Sequence, residues 1–163
     1  MQSEKILVSN IMNQKVQTDF EDQNIMSACN IMYANNIGSV IIVTRDGTNN
    51  PVGIITERDI VRVLGKLNPD LLKTPLSTLM SKPIIRIEQS ASINEATSIM
   101  NNKKIRRLVV VDKNNKMTGI LTLRDIFKAV DKDPSLLSEF YGNAFSSKFK
   151  EIYERYSKYS LED

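Results

Sequence analysis

Gly53-Ile-Ile-Thr-Glu-Arg-Asp-Ile60 and Gly119-Ile-Leu-Thr-Leu-Arg-Asp-Ile126 are one octapeptide written twice, 66 residues apart. Upstream, Met12 to Val43 lies over Met80 to Val111 at a shift of 68 without gaps. Ile25, Ala28, Ile31, Met32 and Ile37 fall on Ile93, Ala96, Ile99, Met100 and Ile105, and the two-residue difference between the shifts is absorbed in a turn. The leaders agree too: Ile6-Leu-Val-Ser-Asn-Ile-Met12 resembles Thr74-Pro-Leu-Ser-Thr-Leu-Met80. Coincidences in one order over this length mean duplication, and an internal repeat sets the architecture before any local propensity does.

Each copy reads as strand, helix, strand, turn, strand, helix. In the first, Lys15–Phe20 is a short strand, and Ile25, Ala28, Cys29 and Met32 recur with the i, i+3, i+4, i+7 step of a helix buried on one side. Val40-Ile-Ile-Val43, within Ser39–Thr44, is a β-branched run suited to a strand covered on both faces. Arg45-Asp-Gly-Thr-Asn-Asn50 is turn chemistry, Pro51–Ile55 returns as a strand, and Glu57–Leu64 forms a helix. The second copy repeats this as Ile84–Glu88, Ile93–Asn102, Leu108–Asp112, Met117–Leu121 and Leu123–Val130. A copy of about 55 residues buries too little surface to stand easily alone. The expected fold is therefore α+β: two pseudo-twofold-related β-α-β-β-α repeats sharing one core, followed by C-terminal helices. The boundaries read as repeat one at 6–66, connector at 67–75 with an Asn68-Pro69-Asp70 break, repeat two at 76–130, and a helical extension at 131–163. In that extension Phe145, Phe149, Ile152, Tyr156 and Tyr159 follow a coiled-coil step, which suits packing on the chain's own surface or on a partner.

Composition narrows the chemistry. The 163 residues include no His and one Cys, so imidazole acid–base catalysis, Ser-His-Asp triads, His-bearing zinc sites and an intrachain disulfide are all excluded. The net charge of +3 is too small to argue for nucleic acid. No apolar run approaches membrane-spanning length and the first ten residues lack a signal-peptide core, so the expectation is a cytoplasmic protein. Cys29 reads as a small buried hydrophobe, the seven Met residues as mostly core, and Asp19, Glu21 and Asp22 as helix-start acids rather than a metal site.

The octapeptide carries the function. Its mechanical reading is a cap: Thr56 starts a helix at Glu57, and Asp59 occupies the capping-box position, with Gly53 and Gly119 ending a turn. Its chemical reading uses the same geometry as a nucleotide grip. The helix start and the Thr hydroxyl would receive phosphate, while the Asp accepts from both hydroxyls of a ribose.

These residues, with the Met at each repeat start and the Val-rich second strand, resemble a tandem pair of cystathionine-β-synthase (CBS) domains, a Bateman module, over Ile6 to Val130. The resemblance implies two clefts taking AMP, ADP, ATP, S-adenosylmethionine or a relative, and homodimers. One cleft would use Ile54, Thr56, Arg58, Asp59, Pro83, Ile84, Ile85, Arg106 and Arg107. The other would use Val16, Gln17, Gly38, Ser39, Ile120, Thr122, Arg124 and Asp125. Lys103 to Val110, with Arg106-Arg107 inside it, is similar to the phosphate-contacting stretch in the γ subunit of AMP-activated protein kinase. Because Gly38-Ser39 stands where the second copy has Arg106-Arg107, the clefts should be unequal, with the phosphate ligand near Asp59 and an adenosine-like or weaker one near Asp125. The expected role is a non-catalytic, adenine-nucleotide-sensing regulator of an effector protein, without cofactor, catalytic residue or metal. A ligand-free CBS dimerisation scaffold is the alternative. A phosphate-transferring enzyme is disfavoured by the absence of a P-loop or activated nucleophile, and nucleic-acid binding by the lack of an aromatic platform.

Overall fold

The structure, a computed structural model, describes residues 6–136 and Glu154. A one-turn helix, α1 (Val8–Ile11), precedes β1 (Thr18–Phe20), α2 (Ile25–Asn35), β2 (Ser39–Val43), β3 (Pro51–Thr56) and α3 (Glu57–Leu64). A 3-10 turn over Pro69–Lys73 leads to a second one-turn helix, α4 (Leu76–Leu79). The pattern then recurs as β4 (Arg86–Glu88), α5 (Ile93–Lys103), β5 (Arg107–Val111), β6 (Met117–Thr122) and α6 (Leu123–Lys132). The fold is mixed α+β, as the repeat pattern requires.

Each sheet has three strands in sequence order. β1 runs parallel to β2 and β3 antiparallel to it, and β4, β5 and β6 repeat the arrangement. The central strand explains the β-branched run. Val40, Ile41, Ile42 and Val43 are all at most 1% exposed, because neighbours flank the strand and side chains cover both its faces. Each such side chain contributes about 1.5–3 kcal/mol by leaving water. The antiparallel pairing places Ser39 opposite Thr56 and Arg107 opposite Thr122.

The long helices start where their sequence says. The Asn24 side chain accepts from the Met26 and Ser27 N–H groups, and Ser92 accepts from Glu95 N–H, so both long helices are N-capped. Ile25, Ala28 and Met32 are buried on one, and Ile93, Ala96, Thr97 and Met100 on the other. Cys29 is only half-buried, and burial pushes its thiol pKa up. Both helices end on a left-handed residue, Asn36 at φ 50° and Lys104 at φ 54°. Asn tolerates that conformation better than Lys does. The first strand begins at Thr18 rather than Lys15, and the last described helix runs on to Lys132 rather than stopping at Val130.

The compact units are offset from the sequence repeats. One is Lys15–Ile85; the other joins 6–14 to 86–136 among the described residues. Each repeat's core thus packs with the leader written before the other repeat. In the first unit Leu76 N–H donates to Gln23 C=O at 2.7 Å and Ser77 N–H to Glu21 C=O at 2.9 Å. In the second, Val8 N–H donates to Ala91 C=O at 2.8 Å and Ser9 N–H to Gln89 C=O at 3.0 Å. Ser81 bridges Ile54, and Asn13 bridges Ile120, at equivalent places.

This packing changes the reading of the repeated glycines. Gly53 and Gly119 do not end turns; they lie inside β3 and β6. A Cβ at Gly119 would sit 2.8 Å from Met12 Sδ and 3.0 Å from Asn13 C=O, and one at Gly53 would collide with Met80 Sδ and lie 2.7 Å from its Cγ. Glycine and methionine recur together because each leader's Met lies across the strand where a side chain would stand.

Two inequalities break the repeat symmetry. Asp19 stands where the second copy has Ile87 and is 7% exposed; its Oδ2 finds no hydrogen-bond partner among the described residues. On α3, Val61 and Leu64 are 68% and 54% exposed, whereas the equivalent Phe127 and Val130 of α6 are buried. No helix among the described residues is long and apolar enough to cross a membrane. The aromatic stripe from Phe145 to Tyr159 lies outside the described residues.

Candidate functional site

The β3–α3 and β6–α6 junctions are full capping boxes. Extended backbone at Thr56 and Thr122 turns each Thr Oγ1 toward the N–H three residues on, and the Asp at that position reaches back. Asp59 Oδ2 accepts from Thr56 N–H at 2.9 Å and Thr56 Oγ1 at 2.7 Å. Asp125 Oδ2 does the same with Thr122, at 2.8 and 2.6 Å. The first helical N–H is also used: Glu57 donates to Gly38 C=O and Leu123 to Arg106 C=O. The mechanical reading of the motif is therefore realised in both copies.

The second carboxylate oxygen separates them. Asp59 Oδ1 accepts from Arg62 Nη1 at 3.0 Å and from Ser81 Oγ at 3.4 Å. A carboxylate offers about four acceptor positions, and at Asp59, which is 4% exposed, all are filled by its own unit. Asp125 Oδ1 has no partner among the described residues. Asp125 also lines a cavity of about 770 Å³ within its unit, between α1 and α6. Ile6, Leu7, Ile11, Met12, Ala129 and Leu136 give that cavity apolar walls, and Lys128 and Lys132 are matched in number by Asp125 and Asp133.

Strand pairing fixes the neighbours of each motif. Gly38 and Ser39 adjoin Thr56 and Glu57; Arg106 and Arg107 adjoin Thr122 and Leu123. Arg58, Arg124 and Arg106 are exposed. Ile54 pairs with Ser81, and Pro83, Ile84 and Ile85 continue from it in the same unit toward β4. Gln17 C=O accepts from Ile41 N–H, with Val16 beside it before β1, and Ile120 lies in β6 against Asn13. Sequence reasoning missed Arg62, Ser81 and Lys128. The i, i+3 spacing of Arg62 from Asp59 was the available signal for the first.

The acids before α2 serve structure. The Arg45 guanidinium bonds Asp22 at 2.9 Å and holds its carboxyl below the usual range, while Asp19 Oδ1 caps Phe20 N–H at 2.8 Å.

The family model for the CBS domain matches residues 8–66 and 76–132. The chain belongs to the CBS domain family. An uncharacterized protein of Methanopyrus kandleri is 43% identical over 99 residues, 60% of this chain and 48% of its own length, so this chain spans about half of that relative. Among solved structures, a CBS domain protein from Pyrobaculum aerophilum complexed with AMP is similar at 27% identity and TM-score 0.68, covering 74% of this chain and 89% of its own. The CBS domain pair of protein MJ0100, in complex with 5′-methylthioadenosine and S-adenosyl-L-methionine, is similar at 26% identity and TM-score 0.70. It covers 79% of this chain and 98% of its own. The chain is thus a tandem CBS protein, and similar CBS proteins hold adenosyl ligands.

Proposed function

We propose that this CBS pair is a regulatory sensor that binds an adenosyl nucleotide at the Thr122–Asp125 motif and performs no chemistry on it. The observation that carries this reading is Asp125 Oδ1, an acceptor without a partner among the described residues on a carboxylate that lines a cavity. An oxygen with two open positions suits the two adjacent hydroxyls of a ribose. Arg106 and Arg107, next to Thr122 through the β5–β6 pairing, are suited to the phosphate, since guanidinium forks match phosphate oxygens. The phosphate-bearing ligand therefore belongs with Asp125 rather than with Asp59. The bound ligands of the similar AMP and S-adenosyl-L-methionine complexes support the adenosyl class.

The signal needs a listener. A second copy docked on the exposed Val61 and Leu64 would cover the face whose α6 counterpart is already buried, and a nucleotide-dependent change in that assembly would reach an effector protein. The cytoplasm, where adenine nucleotides are abundant, is the setting this role requires.

A thermal-shift screen with AMP, ADP, ATP and S-adenosylmethionine tests the reading. A ligand at 100 times its Kd stabilises by about 2.7 kcal/mol, which for a chain of this size raises Tm by about 5–10 °C. The rise is expected for at least one of the four and is expected to vanish in Asp125→Ala. No rise with any of them favours the dimerisation scaffold instead.

A further inference from the structure

The two Thr–Asp motifs have the same cap and different fourth neighbours. Arg62, one turn into α3, lays its guanidinium on Asp59 Oδ1, and Ser81 adds a second donor to the same oxygen. Lys128 is the residue at the corresponding place on α6, 66 positions later. It makes no ion pair with Asp125. The chemical difference between the two cations accounts for this. A guanidinium is weakly hydrated and presents several donors in a rigid plane, so it holds a nearby carboxylate; an ammonium is strongly hydrated and stays in water.

We infer that Arg62 is a built-in plug of the Asp59 motif, so that the duplicated chain carries one working nucleotide site, at Asp125, and one that occupies itself. The inference rests on the proposed adenosyl reading of these motifs and adds the residue that decides between them. A ribose arriving at Asp59 must displace a charge-assisted bond already made, whereas at Asp125 it meets open acceptors. Loss of one such bond changes affinity by about tenfold or more. Arg62 is 62% exposed at its side chain and Asp59 keeps its two bonds to Thr56, so replacing Arg62 leaves the cap in place. The plug is thus a specificity-determining residue, separable from the fold.

The test is calorimetric titration of the full chain with AMP, comparing wild type, Arg62→Gln, Lys128→Arg and the double variant Arg62→Gln/Asp59→Ala. The wild type is expected to bind one AMP per chain. Arg62→Gln is expected to bind two, and the added site is expected to disappear in the double variant. Lys128→Arg, which grafts the plug onto the other motif, is expected to weaken the wild-type site about tenfold or more. Two equal sites in the wild type, or a single site persisting in Arg62→Gln, would overturn the inference. Binding by Arg62→Gln but not by wild type would keep the plug and refute the Asp125 reading; binding by neither would refute both.

Discussion

The Thr56–Asp59 and Thr122–Asp125 motifs differ in no residue of the Thr-x-Arg-Asp core, yet they are not equivalent. Both Asp residues close a capping box with one oxygen. In one motif the other oxygen is held by Arg62 and Ser81; in the other it has no partner among the described residues, and the residue that carries it lines a cavity. The comparison separates two roles that a repeated motif conflates. Capping is local and needs only Thr, Asp and the turn between them. The proposed binding would depend on what approaches from outside the motif: a side chain one helical turn on, and a leader supplied by the other repeat.

The leaders are where the two units can be told apart by the largest stability effect. Gly119→Ala places a methyl against both Met12 and the Asn13 carbonyl, and Gly53→Ala against Met80 alone among the atoms nearest it. Each is expected to cost about 1–3 kcal/mol in urea unfolding. The coupling in a double-mutant cycle is expected to be larger for Gly53→Ala with Met80→Ala than for Gly119→Ala with Met12→Ala, since backbone cannot be trimmed away. Equal couplings would erase this difference between the units.

A smaller effect of opposite sign is expected at Asp19. Its counterpart Ile87 is 4% exposed and wholly apolar, whereas Asp19 keeps one oxygen buried without a partner among the described residues. Asp19→Ile is expected to stabilise the chain by about 1 kcal/mol, because a buried unsatisfied acceptor is removed at a position the other copy fills with the same side chain. A loss of stability in the same unfolding assay would show that the bond from Phe20 N–H to Asp19 Oδ1 outweighs the unsatisfied Oδ2.

Much of this was legible in the sequence. The 68- and 66-residue shifts locate every strand and long helix, because hydrophobic period and turn chemistry agree at each. The Thr–Asp cap was legible for the same reason: its partners lie three residues apart. What was hidden depends on contacts across the chain. The pairing of Gly53 with Met80 and of Gly119 with Met12 requires knowing which leader packs with which core. The adjacency of Arg106–Arg107 to Thr122 follows from the antiparallel β5–β6 pair, whose hairpin sets the start of one strand beside the end of the other. Arg62 was within reach, but only as one of two exposed arginines on α3, and its choice of Asp59 is a matter of side-chain placement.

The most direct test of the account is to follow the backbone amide signals of Thr56 and Thr122 by NMR while AMP is titrated into the ¹⁵N-labelled chain. Both amides donate to their own Asp carboxylate, so each reports on what that carboxylate binds. A saturable shift at Thr122 with Thr56 unmoved is the expected result. A shift at Thr56 alone, or at both with the same midpoint, would contradict it.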